Sequence, residues 1–393
     1  MPAPSVLLLS AYRSDSHALW ADWLRSELEA DWRVLELPGR YFRWRIRGNP
    51  LSWLDALPQQ LEAGQPQGWQ PDRILATSMV DICTLRGLFP ALATVPTSLY
   101  FHENQFAYPV SQGQHSSIDP QMVQLYGALA ADELLFNSLF NRDSFLAGIE
   151  ALLGRLPDAL PNGLVERLAP KCRWLPVPVE PMSAPAMDKT GPGLVCEASA
   201  FHQKAESKPQ RLTVLWNHRW EYDKYPEALP LLASALLKRG LGIDLVLLGH
   251  GADRPHAVKQ QLEQLVQASE GALRIVMSGF LPKAEYRLWL QQADVVFGAA
   301  RHEFQGLSLL EAASAGAFPV VPDALCYPEQ YPAECLYPVD DFDAAADCMV
   351  RVMEAKRAGR PARVDAASLS RWLMPATSNA WRDWLAEISS AST

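Results

Sequence analysis

The chain has 393 residues, 49% hydrophobic and 20% charged, with a formal net charge of −9. That length excludes one ordinary domain and suits two of about 150–200 residues each, globular and soluble in composition. The acidic balance does not advertise nucleic-acid binding, although net charge hides local patches of the opposite sign.

Six cysteines (Cys83, Cys172, Cys196, Cys326, Cys335, Cys348) are scattered without a C-x-x-C pair. They read as reduced thiols of a cytoplasmic protein with no zinc site. The opening M-P-A-P-S-V-L-L-L-S-A-Y has too short an apolar core and no basic leader for a signal peptide, so it is expected to be a strand. No apolar run approaches 18 residues, since 229–248 is broken by Lys238, Arg239 and Asp244, and no membrane span is expected.

Residues 6–9 predict a first strand, followed by A-Y-R-S-D-S-H and a helix over about 16–30 with Leu19, Trp23, Leu24 and Leu28 on one face. In a doubly wound sheet such a loop ends at the carboxyl edge, where ligands bind, so Arg13, Asp15, Ser16 and His17 are expected at a cleft lip. A second strand over 34–37 leads into P-G-R-Y-F-R-W-R-I-R-G-N-P. There Phe42, Trp44 and Ile46 alternate with Arg43, Arg45 and Arg47, which predicts an extended segment showing an arginine about every 6.6 Å. That step is close to the phosphate spacing of a single nucleic-acid strand. It fits an RNA contact, with Arg40 and Trp44 beside the ladder, or an edge strand guarded by charge, and spacing does not separate the two.

Strands are expected over 73–77, 97–101 and 134–136. The second ends in F-H-E-N-Q, which brings His102, Glu103 and Asn104 to the crevice; the third runs into N-S-L-F-N, where Asn137 and Ser138 line the cleft or cap the next helix. Residues 172–179 close a first domain of residues 1–180. A stretch rich in Pro, Ala, Gly, Ser and Lys (181–210) reads as a linker and hinge, and a second domain follows over 211–370. Its first strand, 212–216, exits through N-H-R-W-E-Y-D-K-Y-P-E, which carries Arg219 and Lys224. Strands over 243–248 and 274–277 end at Gly249 and near Phe280, positions expected to meet a nucleobase. A short helix is expected over 286–291 and another over 342–357. The last segment, within 371–393, is expected to pack back on the first domain.

Residues 298–322, G-A-A-R-H-E-F-Q-G-L-S-L-L-E-A-A-S-A-G-A-F-P-V-V-P, carry the richest signal. An apolar strand, a polar loop, a helix from about Gly306 and a stop at Gly316 make a βαβ unit. Unfilled amides at such a helix start favour an anion, and Gly306 lets a diphosphate approach the backbone without a β-carbon in the way, with Phe304 and Leu307 beside it at the donor. Glu303 and Glu311, eight apart, can accept hydroxyls on either side of it. An amphipathic helix with two solvated glutamates has the same spacing, but the flanking strands and glycines favour a nucleotide-sugar site.

E-F-Q-G-L-S-L-L-E-A resembles the E-x7-E motif of retaining GT-B glycosyltransferases of the family 4 type. The resemblance implies Glu303 on the transferred sugar, Glu311 on the ribose, Arg219 and Lys224 on the diphosphate and His102 on the sugar. It also implies two Rossmann-like domains facing across a cleft. The glycines typical of family 4 after strand one are missing here. S-H after strand one, L-P-x5-W-R, Y-F-H-E-N-Q with Y-P after it, F-N-S-x-F-N, W-N-H-R-W-E-Y-D-K-Y-P-E and R-H-E-F-Q-G together resemble the tRNA-queuosine mannosyltransferases, over roughly residues 6–340. That resemblance implies mannose moved from GDP-mannose to queuosine in a tRNA anticodon, with Ser16, His17, Arg40, Arg43, Trp44, Arg45, Arg47, Glu103, Asn104 and Asn137 on the acceptor side. Fixed cations lower the barrier as charge grows on the leaving diphosphate. With that clamp in place of a metal ion, neither metal nor further cofactor is expected. A lipid or small-molecule acceptor, an epimerase or phosphorylase on the same fold, and a non-catalytic RNA-binding module are the alternatives.

Overall fold

The computed structural model describes residues 3–62, 69–108, 117–157, 160–182, 210–251, 257–360 and 362–391. The chain divides into two compact units, Met1–Pro178 with Trp372–Thr393, and Val179–Arg371. Apart from 181, 182 and 210, the expected linker lies outside the described residues, as do Cys196 and the Pro109 of the Y-P pair.

The first unit runs β1 (Ser5–Arg13), α1 (Asp15–Glu27), β2 (Asp31–Pro38), α2 (Phe42–Ser52), α3 (Ala56–Glu62), β3 (Arg73–Thr77), α4 (Ile82–Leu88), β4 (Thr97–Phe101), α5 (Asp119–Ala130), β5 (Glu133–Phe136), α6 (Leu139–Leu153), α7 (Leu164–Leu168) and β6 (Cys172–Trp174). The second runs β7 (Leu212–Trp216), α8 (Ala228–Lys238), β8 (Ile243–Leu248), α9 (Ala257–Ala268), β9 (Leu273–Gly279), α10 (Lys283–Gln292), β10 (Val295–Phe297), α11 (Leu307–Ala315), β11 (Phe318–Pro322), α12 (Tyr327–Gln330), β12 (Leu336–Tyr337), α13 (Phe342–Arg357) and α14 (Ala366–Ser370). The last helix, α15 (Ala376–Ala391), belongs to the first unit.

Both sheets are parallel and six-stranded, in the orders β2-β1-β3-β4-β5-β6 and β12-β11-β10-β7-β8-β9. Val6, Leu7, Leu8 and Leu9 are all fully buried, because a parallel strand covered by helices on both faces has no solvent side. The strand order reverses between β1 and β3 in the first sheet and between β7 and β10 in the second. Loops that leave neighbouring strands at such a reversal diverge to opposite faces and open a crevice at the carboxyl edge.

Two expectations are corrected. Residues 42–52 form a helix, not an extended ladder. Phe42, Ile46, Asn49 and Trp53 recur at helical spacing and face inward, whereas Trp44, grouped with them by alternation, turns out to solvent. In α1 the buried face is His17, Trp20, Ala21 and Leu24, and Leu19 is exposed. That face meets an aromatic layer in which Trp20 stacks on Tyr100 at 4.5 Å and meets Trp381 of α15 at 5.8 Å. Trp381 Nε1 donates to the Pro176 carbonyl at 2.9 Å, so α15 is held at the end of the first unit's own chain.

Cys83, Cys172, Cys326, Cys335 and Cys348 are free thiols. Among the described residues no helix is long and apolar enough to cross a membrane.

Candidate functional site

In the second unit the strand reversal brings the exit loops of β7 and β10 together. The Asp223 carbonyl accepts from the amides of Arg301 (2.8 Å) and His302 (3.3 Å), which ties one loop to the other. Lys224 ends a single 3-10 turn, Tyr222–Lys224, and is buried. Its Nζ donates to the His302 carbonyl (3.0 Å) and to Glu303 Oε2 (2.9 Å), and lies 3.4 Å from Asp223 Oδ2. Glu303 Oε1 accepts from the Phe304 amide at 3.2 Å. Burial alone would raise the Glu303 carboxyl, but the Lys224 charge and hydrogen bond, with help from His218 and the Gly306 amide, outweigh it and bring it to about 2. Burial likewise opposes the Lys224 charge, and Glu303 and Asp223 outweigh it, so its pKa is raised. The pair is therefore ionised throughout the physiological range.

Gly306 precedes α11 in the left-handed region (φ 62), and no side chain caps that helix. Glycine accepts this conformation without strain, and the first-turn amides of Leu307 and Ser308 are left for an anion. Arg219 is half exposed, 3.3 Å from Glu221 and 3.9 Å from Asp223. It is a cation that can swing toward a bound diphosphate.

Deeper in the unit, Glu311 on α11 accepts from Tyr286 Oη at 3.0 Å. Asn217 Nδ2 donates to that same Tyr286 oxygen (3.0 Å) and to the Ser308 carbonyl (2.9 Å). A chain of hydrogen bonds thus links the end of β7, α10 and α11. Burial raises the Glu311 carboxyl despite the tyrosine donor. Gly249 has φ 112, and a β-carbon there would lie 2.1 Å from the His218 carbonyl oxygen. Only glycine lets the β8 exit loop pass so close to the β7 exit loop. Phe280, 70% exposed after β9, sits edge-on to His250 at 5.8 Å, which leaves an aromatic face open for a base.

The carboxyl edge of the first unit holds a second set of residues. His102, after β4, stacks on His17 of α1 with ring centroids 4.0 Å apart. Both are buried and neutral: desolvation takes His17 to about 4, and desolvation with His17 nearby takes His102 well below its ordinary value. Ser16 lies 3.5 Å, oxygen to oxygen, from Ser14 at the same lip. The Glu103 carbonyl accepts from Ser78 and Gln124.

Asn104 and Asn137, expected on the acceptor side, are both buried, and their side-chain amides are bonded within the protein. Asn104 Nδ2 donates to Asn141 Oδ1 (2.9 Å) and Ser144 Oγ (2.9 Å), and its oxygen accepts from the amides of Phe106 and Ala107. Asn137 Nδ2 donates to the His102 carbonyl at 2.9 Å, and its Oδ1 accepts from Asn141 Nδ2 at 2.8 Å. They fix the loop that carries His102. Arg40, just before α2, is exposed, as are Arg43 and Trp44 on it; Arg45 is half-buried, and Arg47 is shared with Asp81 (3.1 Å) and Asp119 (3.5 Å).

The structure thus assembles Arg219, Lys224, Glu303 and the Gly306–Leu307 helix start in one place, with Phe304 inward and Glu311 one layer below. The sequence reading passed over Asp223, Tyr286 and Asn217. Asp223 stood beside Lys224 in a quoted motif, and only its burial marks it out. Asp341-Phe342-Asp343 is a D-x-D tripeptide, but Asp341 caps α13 and Asp343 pairs with Arg239 at 2.9 Å.

Comparison with known proteins follows the two units. Residues 5–179 match the family model of the tRNA-queuosine alpha-mannosyltransferase N-terminal region, and residues 216–355 match that of glycosyl transferases group 1. In solved structures the chain is similar to a sucrose-phosphate synthase from Thermosynechococcus elongatus (14% identity, TM-score 0.66, 98% of this chain and 100% of that one). It is also similar to Anabaena HepE crystallised with UDP-glucose (12% identity, TM-score 0.62, 99% and 100%). At such identities these establish the GT-B fold alone. A curated tRNA-queuosine alpha-mannosyltransferase of Drosophila melanogaster is 31% identical over 337 residues, 85% of this chain and 83% of that protein. Identity sustained across both Rossmann-like units, over a site built from the motifs they share, makes this chain a glycosyltransferase belonging to the tRNA-queuosine alpha-mannosyltransferase family.

Proposed function

We propose that this enzyme transfers mannose from GDP-mannose to queuosine in a tRNA anticodon, with retention of configuration, in the cytoplasm. The Lys224–Glu303 ion pair beside the uncapped start of α11 carries the reading. It sets a fixed charge, a hydroxyl acceptor and free amides within one loop cluster, which suits a sugar joined to a diphosphate. The name of the Drosophila relative supports the acceptor, and the five free thiols fit a reducing compartment.

In this mechanism the bond between the sugar's C1 and the diphosphate oxygen breaks as the acceptor hydroxyl oxygen bonds to C1 on the same face. The hydroxyl proton passes to the departing diphosphate. Arg219, Lys224 and the amides of Leu307 and Ser308 take up the growing negative charge, a role for prearranged charge that needs little reorganisation. Glu303 orients the sugar and Glu311 holds the ribose. Phe280 covers the base.

A panel of sugar nucleotides offered with queuosine-containing tRNA tests the reading. Nucleoside mass analysis should find one hexose added from GDP-mannose, and the one-bond C1–H1 coupling of the product should report the α-linkage. Preference for a different sugar nucleotide, or an inverted product, overturns the corresponding part.

A further inference from the structure

α2 starts at the carboxyl edge of the first sheet, directly after β2, and its exposed face is unlike the rest of an acidic chain. Between residues 40 and 47 there are four arginines and no acid. Trp44 is 52% exposed on that face, and Tyr41, in the left-handed region at the helix start, is 71% exposed under the Arg40 guanidinium at 5.6 Å.

Gly48, one helical turn beyond Trp44, explains the indole's posture. A β-carbon at Gly48 would lie 2.4 Å from Trp44 Cε2 and 2.7 Å from both Cδ2 and Cζ2. The fused edge of the indole therefore rests directly on the glycine α-carbon, a place no other residue leaves free. Glycine inside a helix is unfavourable by about 1 kcal/mol relative to alanine, so the helix does not gain from it. What the glycine provides is a tryptophan laid down against the helix with one ring face turned to solvent. The floor beneath is fixed: Asn49 Nδ2 donates to the Met79 carbonyl at 3.1 Å, its oxygen accepts from the Asp81 amide at 3.1 Å, and Arg47 pairs with Asp81 at 3.1 Å.

We propose that Trp44, seated on Gly48, is a stacking platform for one unpaired base of a single-stranded RNA loop, with Arg40 and Arg43 on the flanking phosphates. Charge complementarity selects the occupant. A flat aromatic face ringed by arginines takes a base with its backbone, because every base has a π-face and each flanking phosphate meets a guanidinium. The proposal rests on the tRNA reading above and adds what holds the loop.

The test measures affinity of the full chain for an anticodon stem–loop with unmodified bases and for a duplex RNA of the same composition. Trp44→Ala and Gly48→Ala should each weaken stem–loop binding about tenfold, the effect of losing one base stack. Trp44→Phe should retain part of the affinity. The slope of affinity against salt should stay as in wild type, since no phosphate contact is removed. Duplex binding and donor binding should not change, and donor binding also reports that each variant is folded. Stem–loop affinity equal in wild type, Trp44→Ala and Gly48→Ala, with transfer intact, overturns the platform while leaving the acceptor reading standing. A wild-type chain that binds no stem–loop and modifies no tRNA overturns both.

Discussion

Lys224 donates to Glu303 at 2.9 Å across 79 residues of sequence, and the backbone carbonyl of Asp223 accepts from both residues that precede Glu303. Two strand-end loops are thereby joined by a buried ion pair and by main-chain bonds. The group that neutralises a leaving diphosphate and the group that orients the sugar hold each other in place before any ligand arrives.

Lys224→Ala should lower transfer by about 100-fold or more through the lost charge. It should also lower stability by roughly 3–5 kcal/mol, because Asp223 and Glu303 are left buried without their cation. Lys224→Met combined with Glu303→Gln removes one of the two stranded carboxylates and should recover part of the stability and none of the transfer. Urea unfolding and an assay of labelled mannose on tRNA read the two effects separately. A stable Lys224→Ala with full activity contradicts the pairing and the role together.

Tyr286→Phe removes the hydroxyl that donates to Glu311 at 3.0 Å. The carboxyl, already raised by burial, should rise further. If Glu311 grips the ribose, KM for the donor should increase several-fold while kcat changes little, the pattern of lost uniform binding. A fall confined to kcat would place Tyr286 with the reacting atoms instead.

Arg40→Ala with Arg43→Ala tests the electrostatic side of α2. Arg45 is half-buried and Arg47 is engaged by Asp81, so Arg40 and Arg43 are the pair to remove without disturbing the fold. Affinity for tRNA should fall, and the slope of log affinity against log salt should decrease by about 1 per arginine. An unchanged slope would mean that neither meets a phosphate.

How much of this was legible in the sequence follows from periodicity. β3, β4, β7 and β8 match the expected spans residue for residue, because continuous apolar runs between turn residues admit little else. Residues 42–47 misled because six alternating positions satisfy a period of two, while the i, i+4 pair Phe42 and Ile46 equally satisfies 3.6. Only Trp53 beyond them decides it. Lys224 and Glu303 stood out by type and place, but their bond to each other, bridging 79 residues, has no local trace. Asn104 and Asn137 looked available because an asparagine at a strand end serves a ligand or a backbone amide equally well. Tyr286 was hidden in a helix read only as a connection.

Acid should destabilise the protein well before its carboxylates protonate. Burial, the largest cause in each case, takes His17, His218 and His302 to about 4 and His102 well below 6.5. Their folded values are depressed, so between about 6.5 and 4 the unfolded chain binds more protons. Stability is then full above 6.5 and falls as pH drops through that window. Each imidazole contributes roughly 1–2 kcal/mol of loss between pH 7 and pH 5. Urea midpoints at the two pH values should show the fall, and His17→Gln should reduce it. A midpoint that is level or rises on acidification contradicts buried neutral imidazoles.

The most direct test of the central claim compares wild type with Glu303→Gln on queuosine-containing tRNA and GDP-mannose, with the nucleosides weighed after digestion. The expected result is queuosine heavier by one hexose with the wild type and unmodified queuosine with the variant, at undiminished tRNA binding. Queuosine left unmodified by the wild type, or modified equally by both, would contradict it.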